Sequence, residues 1–195
     1  FWRYVERIAD SSFFPKDVLR LKLASLWSYI ASEEAFIGRN VDLGELVGVK
    51  LITARIINAL MKICFYLEGE YIPYSKWFAR GFKELNCYNE LNDIFTKAIN
   101  CSALDKIEEI ICSACVKVVE LQNRLELADN IQVQAESYYG RPYKVVLADK
   151  IADKLLDSIA NESLQQISLD YISVVQNIDG IDLTENQELL DELFS

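Results

Sequence analysis

At 195 residues, with a net charge of −10 and a pI near 4.6, the chain is long enough for one substantial core. It is too acidic for broad electrostatic attraction to nucleic acid or anionic membrane, although a local basic patch could still hold a small anion. Hydrophobic residues make up 51% of it, with only 7 Gly and 3 Pro, which favours long helices over a sandwich of short strands.

The chain opens at Phe1-Trp2 without an initiator Met, so it reads as a fragment or as a chain with residues upstream. No basic-then-apolar leader precedes the first helix, and a soluble, cytoplasmic protein is expected. Five cysteines, an odd number, fit reduced cytosolic thiols better than a disulfide framework. The most apolar stretch, Leu51 to Leu67, is interrupted by Arg55, Asn58 and Lys62, too polar and too short for a membrane span.

In chain order, Pro15 suits the first position of a helix, where its missing N–H costs nothing. Val18, Leu19, Leu23, Leu26, Trp27 and Ile30 then recur at three- and four-residue spacing, and this helix is expected to fade near Gly38. Asp42 with Glu45 reads as an N-cap and its reciprocal acid, opening a helix to about Leu67. Gly69 and Pro73 bracket a short connection. A helix from about Tyr74 to Leu85 follows, then a short one from about Leu91 to Ile99.

Ser102 with Asp105 is expected to cap the clearest helix. Leu104, Ile107, Ile111, Ala114, Val118, Leu121, Leu125 and Ala128 alternate in steps of three and four, the a/d seam of a helical bundle. The seam is compatible with a homodimer without requiring one. Gly140-Arg141-Pro142 marks a break, after which a helix is expected from about Tyr143 to Asn161. Tyr171 to Gln176 is β-prone, and Thr184 with Gln187 is a last capping box. The expectation is an all-α bundle of about six to eight helices, with one short extended segment near Tyr171–Gln176. Residues 1–139 form the bundle, and 140–195 form a helical extension packed on it within one domain.

The chain contains no histidine. That removes the usual general base, the Ser-His-Asp and Cys-His arrangements and the commonest zinc ligand. No Gly-rich phosphate loop or dinucleotide fingerprint is present. Cys112 and Cys115 form a CxxC, but a zinc site would need two more thiolates from Cys64, Cys87 and Cys101. A redox motif would open a helix rather than sit in its middle. Core or boundary cysteines are the simpler reading. Asp149, Asp153 and Asp157 share a helix face that could hold a divalent cation, yet Lys150 and Lys154 are interleaved, as on an ordinary solvated face. Glu33-Glu34 and Glu108-Glu109 splay apart on a helix and make no acid/base couple.

Tyr71-Ile72-Pro73-Tyr74-Ser75-Lys76-Trp77 is the most distinctive string. Pro73 pre-sets a helix start and leaves free N–H groups in its first turn. Lys76, Arg80 and Lys83 form one basic stripe, with Tyr74, Trp77, Phe78, Phe82 and Leu85 on the other side. Such a surface suits a phosphate-bearing ligand. By spacing alone, a packed aromatic corner with a solvated stripe is the favoured reading.

The order of four strings carries a resemblance: Gly38-Arg39-Asn40-Val41-Asp42, Leu60-Met61-Lys62-Ile63-Cys64-Phe65-Tyr66-Leu67, the Tyr71–Trp77 string, and Arg141-Pro142-Tyr143-Lys144-Val145-Val146. Ile159-Ala160-Asn161-Glu162-Ser163-Leu164 and the stretch from Gln176 to Asp182 follow. From roughly Phe14 onward the chain resembles the domain-of-unknown-function family 4037, found in the helical C-terminal part of proteins whose N-terminal part looks like a nucleotidyltransferase.

The resemblance implies an accessory helical domain joined to an upstream nucleotidyltransferase-like domain of the same polypeptide. That superfamily holds magnesium with a Gly-Ser pair followed by Asp-x-Asp, and neither occurs here. No catalytic or metal-binding residue is therefore expected in this chain. Magnesium and a nucleotide would belong to the parent protein, and no nucleic acid partner is expected. Arg39, Asp42, Tyr74, Lys76, Trp77 and Arg80 are the implied substrate-facing residues. The alternatives are a helical interaction domain without a small-molecule ligand, and a metal-dependent enzyme using Asp149–Asp157.

Overall fold

The computed structural model describes residues 14–167 and Leu169, which fold into seven α-helices and one minimal antiparallel hairpin. Helix α1, Lys16–Asp42, buries Leu23, Leu26, Trp27, Ile30 and Ile37, the stripe its spacing demands. Pro15 is its N-cap rather than its first residue, and its carbonyl accepts the Leu19 N–H at 3.0 Å. The helix does not fade at Gly38. It continues to Asp42 because Gly38 is buried there against Glu108 and Tyr143.

Asp42 therefore closes α1 instead of capping the next helix. A turn through Gly44, at φ 71°, leads into α2, Leu46–Leu67, whose N-cap Glu45 makes no side-chain capping bond. The expected Asp42–Glu45 box does not form. Helix α2 runs back along α1 and buries Val49, Ile52, Ile56, Leu60 and Ile63. It ends where Gly69, at φ 70°, lets the Glu70 N–H reach the Phe65 carbonyl at 2.9 Å, a glycine-terminated helix end.

Helix α3, Ser75–Phe82, is shorter than the Tyr74–Leu85 expected, and α4, Tyr88–Asn100, is longer than Leu91–Ile99. The Lys50 ammonium closes α4 by donating to the Ile99 and Cys101 carbonyls at 2.7 Å each, a cation on the negative end of a helix. A 3₁₀ turn at Leu104–Lys106 precedes α5, Ile107–Asn123. Neither start has a side-chain capping bond, so the expected Ser102–Asp105 cap is absent.

The seam holds for Ile107, Ile111, Ala114 and Val118, which are buried, but it stops with the helix. Leu125 is exposed and Ala128 lies in the following loop. There Glu126 adopts φ 50°, and the Asn123 side chain bonds both the N–H and the carbonyl of Ile131.

The helix expected from Tyr143 is replaced by a hairpin and a shorter helix. Strand β1, Glu136–Ser137, pairs antiparallel with β2, Lys144–Val145, across a 3₁₀ turn at Tyr138–Gly140. Helix α6, Ala148–Asp157, then packs along α1 and places Ile151 and Leu155 in the main core. Helix α7, Glu162–Gln165, is capped by Asn161, whose side chain accepts from the Ser163 and Leu164 N–H groups. The expected extended segment Tyr171–Gln176 and the Thr184–Gln187 box lie outside the described residues. Among the described residues, no helix is long and apolar enough to cross a membrane.

Candidate functional site

Helix α3 sits at the far end of α2 and presses its flat side inward. A Cβ at Gly81 would lie 3.0 Å from Pro73 Cγ and 3.3 Å from Phe65 Cζ, so the short helix rides directly on that ring. Phe78 stacks on Phe65 at 5.5 Å, and Phe82 meets Tyr88 at 5.7 Å and Phe95 at 5.8 Å. These three aromatic contacts anchor the corner, as spacing alone suggests.

Tyr74 and Trp77 do not share that buried side. They are 45% and 42% exposed, and Tyr71 is 58% exposed. The Lys76 ammonium lies 5.3 Å from the Trp77 ring and the Arg80 guanidinium 5.6 Å. The expected split between a basic stripe and an aromatic side is thus corrected. Trp77 and Tyr74 join the cations on the solvent face because an eight-residue helix has room to bury Phe82 and only half-bury Phe78. Among the described residues neither Lys76 nor Arg80 is within ion-pair distance of a carboxylate. The indole with its two flanking cations can stack a planar ring and neutralise an anion beside it.

Arg39 and Asp42 are not part of this face. Phe14 meets Tyr66 at 5.8 Å, which puts the start of α1 beside the end of α2, just before α3. At 1.5 Å per residue, Arg39 then lies roughly 35 Å along α1 from Pro15. Arg39 covers Phe36 at 5.1 Å and Tyr138 at 6.0 Å, and the Asp42 carboxylate accepts from the Tyr143 hydroxyl at 3.0 Å. Both side chains bind the hairpin to α1.

The hairpin end has its own polar centre, which spacing did not single out. Glu34 is 5% exposed and accepts from the Val146 N–H at 2.9 Å and the Ala148 N–H at 3.0 Å. Between them Leu147 holds φ 54°. Burial pushes the Glu34 carboxyl up to about 7 against the pull of those N–H groups, and the nearby Asp149 adds to the rise. The signal was present in the sequence: Glu34 falls four residues after Ile30 and three before Ile37, inside the apolar stripe, while Glu33 faces outward to Arg55 at 2.6 Å.

Glu108, also raised mainly by burial, accepts from the Lys144 N–H at 3.2 Å, and Glu109 pairs with the Lys144 ammonium. A Cβ on Gly38 would stand 2.5 Å from Tyr143 Cδ1 and press on the Glu108 carboxylate. Gly38→Val is therefore expected to destabilise the fold by about 2 kcal/mol, through overpacking that outweighs the helix-propensity gain. Urea denaturation measures it, and a variant as stable as wild type would refute the close packing.

Cys112 and Cys115 are both buried. Burial pushes Cys112 up to about 12 and Cys115 well above the usual thiol range, as for core cysteines. Asp149 accepts from the Tyr139 hydroxyl at 2.5 Å, while Asp153 and Asp157 face solvent. Among the described residues no group of three or more Cys, Asp or Glu is placed to hold a metal ion.

The class these features define is a helical domain with one exposed aromatic–cationic corner and one buried acidic joint. Residues 5–78 match the family model described as Domain of unknown function (DUF4037). The match takes in α1, α2 and the Tyr71–Trp77 string, and stops before the hairpin. No curated protein and no solved structure matches the chain.

Proposed function

We propose that this chain is the accessory helical domain of a nucleotidyltransferase-like protein, supplying nucleotide- or substrate-facing contacts but no catalytic acids. The observation that supports this reading is the exposed Trp77 indole beside two cations that have no carboxylate partner among the described residues. A base can stack on the ring while Lys76 and Arg80 meet its phosphates. The upstream domain of the parent would supply the Gly-Ser and Asp-x-Asp residues and the magnesium. Of the residues implied by resemblance, Tyr74, Lys76, Trp77 and Arg80 form the proposed surface. Arg39 and Asp42 lie outside it, at the other end of α1, where they hold the hairpin.

The test is a thermal-shift titration of the parent protein with magnesium nucleotides, repeated on Lys76→Ala and Arg80→Ala. Each variant is expected to bind about tenfold more weakly, an effect of about 1.4 kcal/mol. Equal shifts in wild type and variants would remove these residues from the site. The same exposed aromatics also favour a second reading, a helical interaction domain without a small-molecule ligand. No shift with any nucleotide, together with a stoichiometric complex between this chain and the separately expressed upstream domain that Trp77→Ala abolishes, would establish that instead.

A further inference from the structure

Two of the five cysteines come together from different helices. Cys64 lies in the last turn of α2, Cys87 is the N-cap residue of α4, and both thiols are free. They line one cavity of about 210 Å³ together with Leu67, Glu68, Asn86 and Leu121, and the neighbouring Cys87 side chain raises the pKa of the Cys64 thiol. Glu68 fixes this meeting: its carboxylate accepts from the Asn86 N–H at 2.8 Å and the Cys87 N–H at 2.9 Å, tying the start of α4 to the end of α2. Cys112 and Cys115 lack this arrangement. They sit at i and i+3 of one helix, where Cβ atoms are about 5–6 Å apart, against the roughly 3.5–4.5 Å a disulfide needs.

We propose that Cys64 and Cys87 form a redox dithiol that a small hydroperoxide entering the cavity converts into a disulfide. Cys87, as thiolate, attacks the distal oxygen of the hydroperoxide. An S–O bond forms, the O–O bond breaks, and the departing alkoxide takes up the proton the thiol released, leaving as the alcohol. The Cys64 sulfur then attacks the Cys87 sulfenic acid. The S–S bond forms, the S–O bond breaks, and the leaving hydroxide takes the Cys64 proton to become water. Each sulfur gives up one electron and the hydroperoxide accepts two. The neighbouring Cys87 side chain, then burial, holds the Cys64 thiol well above its ordinary range. The bond would clamp both ends of the segment 65–86, which carries α3 and its exposed face.

The chain is treated with hydrogen peroxide, alkylated, digested and mapped by mass spectrometry, with and without dithiothreitol. The expected result is a Cys64–Cys87 peptide pair lighter by two hydrogens than the separate peptides, lost on reduction, with slower amide exchange across α3. In Cys87→Ser, Cys64 is expected to be recovered as the alkylated thiol. The wild-type map decides the matter even if the serine disturbs folding. Cys64 and Cys87 both alkylated under conditions that oxidise the half-buried Cys101, either one linked to another cysteine, or Cys87 carried to sulfinic acid without a link would each overturn the proposal.

Discussion

Trp27→Ala is expected to lower the unfolding free energy by about 4 kcal/mol, the range for a fully buried large aromatic cut back to a methyl group. Trp27 has no exposed surface, and its indole N–H donates to Gln122 Oε1 at 2.8 Å, joining α1 to α5 through the core. Two terms add: a cavity that helices held at both ends cannot collapse to fill, and a Gln122 carbonyl left without its donor. Among the described residues Gln122 Nε2 is already buried without a partner. Trp27→Phe separates the terms, with an expected loss of about 2 kcal/mol that Gln122→Met in the same background partly restores. Urea denaturation supplies the values, and a loss under about 1 kcal/mol for Trp27→Ala would contradict the packing described.

The second large effect is at Glu34. Glu34→Ala leaves the Val146 and Ala148 N–H groups buried without acceptors and releases the left-handed Leu147. An expected loss of about 3 kcal/mol follows, since each orphaned group costs about 1–3 kcal/mol. The group also sets a pH signature. Its folded-state pKa is raised from the ordinary 4.5 to about 7, so between those values the folded chain binds more protons than the unfolded one. The stability this provides is fully present below about pH 4.5 and is lost as pH rises through about 7. That difference is about 3 kcal/mol, at 1.36 kcal/mol per pH unit.

Glu108, raised in the same direction, adds to this slope. Asp17, Glu90 and Glu109 are lowered by hydrogen bonds to Arg20, Lys117 and Lys144 respectively. Their contribution is lost only as pH falls below the usual carboxylate range, a separate window. In Glu34→Gln the stability loss between pH 5 and pH 8 is expected to shrink by most of its size. The amide cannot titrate, though it satisfies only one of the two N–H groups. Denaturant midpoints taken at several pH values measure it, and a slope unchanged in Glu34→Gln would show that burial does not hold the carboxyl up.

The helices themselves were legible because their cause is local. An apolar residue every third or fourth position must face a core whatever that core contains, and α1, α2 and α5 formed on the stripes their spacing marks. The absence of histidine and of a phosphate loop was equally plain in the sequence. The aromatic corner was legible in part: Phe78 and Phe82 point inward as anchors, but the exposure of Trp77 between Lys76 and Arg80 depends on how much of a short helix α2 and α4 can cover.

Helix ends and the polar joint were decided only by the tertiary structure, for one physical reason. Gly38 looks like a stop to its neighbours in sequence, and it becomes helix interior because Tyr143 and Glu108 need the space its missing Cβ leaves. The seam runs past Asn123 on paper, but the Asn123 side chain instead fastens the returning loop at Ile131. Tyr143 begins a turn-and-strand rather than a helix because Glu34, distant in sequence, accepts the Val146 and Ala148 N–H groups that the turn exposes. Local spacing determined which faces are apolar. Partners outside each helix, from eight residues away at Ile131 to more than a hundred at Tyr143 and Glu34, determined where the helices stop and which carboxylate is buried.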